Sequence, residues 1–145
     1  MLTEELAEML APLGVLAINL PTDIRRRSIY PLFTLCGAGA GVVIRSVLAY
    51  PEKGMAGMLS AALISLLPGA LLLIFAWFTG EKVGYGDGIM LLMLGSWTGA
   101  AVALFSFIIS LFYAAVLGTA AGKKEVPFVP YLTAGFVTVM VFCSV

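Results

Sequence analysis

Histidine is absent from these 145 residues, and its absence removes several chemistries together. Ser-His-Asp and Cys-His nucleophile systems, His-ligated zinc, histidine-held haem and HExxH proteases all require an imidazole. Cysteine is nearly absent too. Cys36 and Cys143 stand 107 positions apart, each in an apolar run, which excludes a CxxC metal or redox site and predicts buried, idle thiols. Charge is scarce: 11% of residues are charged, less than half the usual share of about 25%. The eight basic and eight acidic residues cancel, which gives no reason to expect nucleic-acid binding. Any chemistry must come from carboxylates, lysines, hydroxyls or the backbone, and the sequence calls for no metal and no cofactor.

Apolar residues are abundant. Hydrophobic side chains make up 61% of the chain, and there are 16 glycines besides. A soluble domain of this length could not hide that much apolar surface, so the lipid bilayer is the expected solvent. Crossing its core takes about 20 mostly apolar residues in a helix. Four runs are plain: Leu6 to Leu20, Ile29 to Tyr50, Met55 to Gly80 and Tyr131 to Val145. A fifth, Gly88 to Gly122, would be roughly 50 Å long as one helix, too long for a core of ~30 Å. It reads as a short helix over Ile89–Gly99, a break near Gly99–Ala101 and a second helix to about Gly118. The expected fold is all-α and integral to the membrane, one domain over residues 1–145, with six membrane helices of which the fourth is short.

Cations set the orientation. With the N-terminus outside, six segments put Arg25, Arg26, Arg27, Lys82, Lys123 and Lys124 inside, and only Arg45 and Lys53 outside. That split satisfies the positive-inside rule, whereas five segments would even it out. The start of the chain carries Glu4, Glu5 and Glu8 and no cation, unlike a cleaved signal peptide. Glycine pairs at 37 and 41, 95 and 99, and 118 and 122 have the spacing for close helix contact, although glycine is common in membrane helices anyway. Arg45 is expected to snorkel to the outer surface. Pro68 is expected to kink its helix, and Trp77 to anchor at the interface. Trp97 reads either way. Ser96 lacks any base to make it a nucleophile.

Six of the eight acids read as solvated ends and loops. The other two, Asp23 and Asp87, sit at junctions between a loop and an apolar helix. Two crossings separate them, and an even number returns the chain to the same face, so both belong on the cytoplasmic side. Carboxylates that meet there could share one proton, the ionised partner activating water and the protonated one donating to a scissile carbonyl. Each also has an ordinary reading: Asp87 as a helix N-cap, Asp23 in a turn or paired with Arg26 or Arg27. The helix ends favour charge on Asp87 and oppose it on Asp23, while the arginines push Asp23 the other way, so the assignment stays open.

The stretch Gly84-Tyr85-Gly86-Asp87 is a GxGD motif and resembles the type IV prepilin and archaeal preflagellin peptidases; presenilin-type proteases share only the short motif. Three further stretches agree in order: Thr22-Asp23-Ile24-Arg25-Arg26-Arg27-Ser28-Ile29, Leu92 to Gly99, and Val126-Pro127-Phe128-Val129-Pro130 ahead of Gly135. The resemblance implies Asp23 and Asp87 as the catalytic pair. It also implies Gly84 and Gly86 as supports of the catalytic loop, open to unusual backbone conformations and to strand-like pairing with an extended substrate. The implied partner is a prepilin-like protein with a basic leader ahead of a hydrophobic helix, cut at the cytoplasmic face of a prokaryotic plasma membrane. Ile89 stands where relatives often have lysine, and Tyr30 intervenes before Pro31; both bear on substrate details. The cysteine-rich domain of the methylating relatives has no counterpart, so peptidase activity alone is expected. The competing reading is an inactive relative or a small non-enzymatic transport or assembly subunit. The sequence leaves the oligomeric state open.

Overall fold

The computed structural model describes residues 2–26, 28–80, 84–120 and 127–143, which are helical apart from short connections and contain no strand. Helix α1 is Leu2–Arg26. The run Pro31–Phe78 follows, and Gly54, at φ 64° and ψ −176°, divides it into α2 (residues 31–53) and α3 (residues 55–78). Helix α4 is Tyr85–Thr98, α5 is Ala100–Ala120 and α6 is Phe128–Cys143. The described residues form six helices, the fourth of them short. Among the described residues three stretches are long and apolar enough to cross a bilayer: Pro31–Leu48, Gly54–Phe78 and Ala100–Leu117. Phe128–Phe142 is apolar but shorter.

The 35-residue stretch breaks where its length requires. Gly99 has φ 88° and ψ 166°, a conformation that L side chains resist, and the chain turns there from α4 into α5. The reversal between α2 and α3 is tighter than the expected loop Tyr50–Gly54: helix persists to residue 53, and only Gly54 leaves helical geometry. Pro31 starts α2, a position where the missing N–H costs nothing. Pro68 is buried within α3, whose dihedrals stay helical through it, so the expected kink is not a break in the helix.

Helix α4 lies at the centre. Met90, Leu91, Met93, Leu94 and Trp97 are buried and join Leu16 of α1 with Val129, Leu132 and Phe136 of α6 in one core. The outer helices turn large apolar side chains outward, among them Leu71 and Phe75 of α3 and Phe105 and Phe112 of α5. In a bilayer that is the lipid-facing surface, and it carries little cost there.

Close approach to α4 depends on glycine. A Cβ on Gly95 would run into the carbonyl oxygen of Ser65, and one on Gly69 into the backbone of Leu92. Gly37 and Gly41 also face α4, Gly41 lying against Ser96 and Trp97. Trp97 is buried and donates its indole N–H to the Gly37 carbonyl at 2.9 Å. Gly122 is outside the described residues, as are Arg27, Lys82, Lys123 and Lys124 of the orientation argument.

Arg45 has a partner on α4. It is half-buried, its guanidinium lies beside Gly99, and Nη1 donates to the Trp97 carbonyl at 3.3 Å, where the C-terminal end of α4 favours a cation. Cys36 is not buried but exposed on α2, because an apolar side chain on a lipid-facing surface needs no protein around it. Trp77 is exposed, with its ring edge-on to Phe78.

Candidate active site

The last turns of α1 alternate between a polar outer face and a buried inner one. Ile24, Arg25 and Arg26 are exposed, whereas Leu16, Asn19 and Asp23, at helical spacing, face the bundle. Asn19 is fully buried and carries a network that sequence reading missed. Its Nδ2 donates to the Val15 carbonyl at 2.9 Å and to Thr34 Oγ1 at 3.1 Å, and its Oδ1 accepts the Tyr30 N–H at 2.8 Å. Thr34 Oγ1 in turn donates to the Tyr30 carbonyl at 2.9 Å. These bonds tie the α1–α2 connection to α1 and so position Ser28, Ile29 and Pro31. The signal for Asn19 was a lone amide in an apolar run, where a side chain that forms hydrogen bonds must find partners inside.

Asp23 lies in the final turn of α1, within the helix, and is 7% exposed. Its Oδ2 accepts the backbone N–H of Val129 at 2.8 Å, a contact spanning 106 positions of sequence. That bond, rather than the alternative of a turn or a pairing with Arg26, is what the side chain makes; Arg27 lies outside the described residues.

Asp87 is the third residue of α4 and therefore not its N-cap. Gly84 occupies the cap position, with no side-chain cap hydrogen bond, and the Asp87 N–H donates to the Gly84 carbonyl at 3.1 Å. The side chain is half-buried. Neither motif glycine takes a left-handed conformation: Gly84 has φ −64°, and Gly86 lies in the first helical turn. Gly84, at ψ 129°, is extended, whereas Gly86 is helical. A Cβ there would sit in ordinary contact with Ile29, and one on Gly84 would sit 3.5 Å from Asp87 Oδ2.

One cavity of about 380 Å³ is lined by Asp23, Ser28, Ile29, Pro31, Gly84, Tyr85, Gly86, Asp87 and Ile89. Both junction aspartates therefore reach the same space. They lie just outside the apolar stretches Leu6–Leu20 and Ile89–Gly99. Burial, with the charge of Asp23 added to it, pushes the Asp87 carboxyl up to about 7. Burial raises Asp23 as well, and the N–H groups of Val129 and Phe128 act against that rise. Desolvation thus outweighs the helix-end field, which on its own would favour charge on Asp87. Two acids of unequal environment on one cavity can hold a single proton between them near neutral pH. Among the described residues no group of three or more Asp, Glu, His or Cys side chains could hold a metal ion. Ser96 is buried away from this cavity and donates to the Met93 carbonyl at 2.6 Å.

No curated protein and no solved structure matches the chain. The sequence pattern of the type IV leader peptidase family matches residues 10–120, a stretch that includes both aspartates, both motif glycines and well over half of the 145 residues. On that match the chain belongs to the type IV leader peptidase family.

Proposed function

We propose that the protein is a membrane aspartic endopeptidase that removes the basic leader from prepilin-like precursors at the cytoplasmic face. The observation that carries this reading is the shared cavity, to which α1 contributes Asp23 and α4 contributes Asp87. Asp23, with a backbone donor on its carboxylate, is the ionised partner and general base; Asp87 holds the proton and is the general acid. Asp23 takes a proton from water as its oxygen attacks the scissile carbonyl carbon, and the Asp87 proton passes to the carbonyl oxygen. The resulting diol collapses as the proton on Asp23 moves to the leaving nitrogen and the carbon–nitrogen bond breaks. The diol proton returns to Asp87, and both groups recover their starting states. No metal or cofactor enters these steps.

Six spans with the N-terminus outside bring the cavity to the inner rim, the side on which a basic leader waits. The test is co-expression with a prepilin-like precursor. Wild type shortens the precursor, and Asp23→Asn and Asp87→Asn each lower cleavage by at least ~1000-fold, the scale on which losing half of an acid–base pair acts. Cleavage that survives in either variant rejects the pair. A wild-type chain that cleaves no precursor favours a non-enzymatic membrane subunit instead.

A further inference from the structure

We propose that the first turn of α6 determines which carboxylate of the pair carries the charge, the backbone N–H of Val129, with that of Phe128 beside it, acting as the positioning donor for Asp23. This deepens the proposed catalytic reading and rests on it for its consequence in cleavage, although the contact itself does not.

The first N–H groups of any helix have no partner within the helix. In α6 the sequence around them is Pro127-Phe128-Val129-Pro130, and neither proline has an N–H to offer. Phe128 and Val129 are left as two adjacent donors bracketed by prolines, at the end of the helix where the backbone dipoles favour an anion. The anion present is a side chain from the other end of the sequence: Asp23 Oδ2, 2.8 Å from the Val129 nitrogen. A carboxylate that accepts backbone N–H bonds is favoured in its charged form. The donor is held firmly. Val129 is 1% exposed, Leu132 and Phe136 behind it are fully buried, and the Phe128 ring packs edge-on against Phe107 at 5.8 Å. Among the described residues no backbone N–H bonds the Asp87 carboxylate, so the two acids are made unequal by geometry. The family match ends at residue 120 and does not reach this turn.

The test removes one hydrogen atom. In the full chain in lipid nanodiscs, the amide at position 129 is replaced by an ester through incorporation of the α-hydroxy analogue of valine. Val129→Pro deletes the same N–H at a first-turn position that tolerates proline, and Val129→Ala keeps the N–H while trimming the side chain. The readout is the pH-dependent infrared band of the Asp23 carboxyl, identified by its loss in Asp23→Asn. The titration midpoint is expected to rise by about one pH unit in the ester and proline variants and to stay within a few tenths in Val129→Ala. The acid limb of kcat/KM should rise by the same amount. An unmoved midpoint in the ester variant overturns the inference, whatever that variant cleaves. A shift as large in Val129→Ala overturns it too, since side-chain packing would then be the cause. If Val129→Pro fails to fold, the ester decides alone. Because the band is read without substrate, this outcome is independent of whether Asp23→Asn abolishes cleavage.

Discussion

Asp87 ties function and stability to the same pH range. Its carboxyl is held up to about 7, against an ordinary value of 3.8, by burial first and by Asp23 second. The folded state therefore binds a proton that the unfolded chain has released by then, and folding stability falls as pH rises from about 4 to 7. Thermal denaturation in detergent should show that decline in wild type and a flatter profile in Asp87→Asn. Cleavage should fall on the alkaline side with an apparent pKa near 7, a value that belongs to the pair.

Asn19 makes a second prediction at this scale. Asn19→Leu leaves the Tyr30 N–H without its acceptor and Thr34 without its amide partner. A loss of stability on the order of 1–3 kcal/mol is expected, together with slower cleavage as the Ser28–Pro31 wall loosens. A lowered Tm and a paired activity assay would read both. The aspartates were legible because a charge beside an apolar helix stands out by itself. Asn19 was not, because an amide inside an apolar run announces a need for partners without naming them. Cys36 misled for a related reason: in lipid, apolar does not mean buried.

Among the helices, the seam between α3 and α4 is set by missing side chains. Gly95→Ala places a Cβ against the Ser65 carbonyl and Gly69→Ala places one against the Leu92 backbone, and neither obstacle is a flexible side-chain tip. Each should cost about 1–3 kcal/mol. Gly14→Ala meets nothing within 4 Å and should leave the melting temperature unchanged. Because α4 carries Asp87, the first two variants should also lose activity. The break at Gly99 was readable from length alone, since 35 apolar residues neither fit one crossing nor fill two. The sharp reversal at Gly54 was blurred into a loop because Pro51, Glu52 and Lys53 look like turn residues, yet the helix runs through them. The contact of α6 with Asp23 lay beyond periodicity altogether: it joins positions 106 apart, and no local pattern encodes which distant helix start an acid will meet.

Taken as a whole, the molecule packs an apolar core and a few polar groups around one short central helix and turns its remaining large apolar side chains outward. At 14 residues, α4 rises only about 21 Å, roughly 9 Å less than the hydrocarbon core. On the proposed mechanism the carboxylates at the foot of that helix need water as reactant, so lipid is not expected to close over the missing height. The proposed function then expects the bilayer to thin beside the cavity, leaving a wet notch open to an extended peptide. Membrane thickness then becomes a rate-controlling variable. Proteoliposomes of longer-chain lipid should slow cleavage, and thinner ones should speed it, with no change in the enzyme itself.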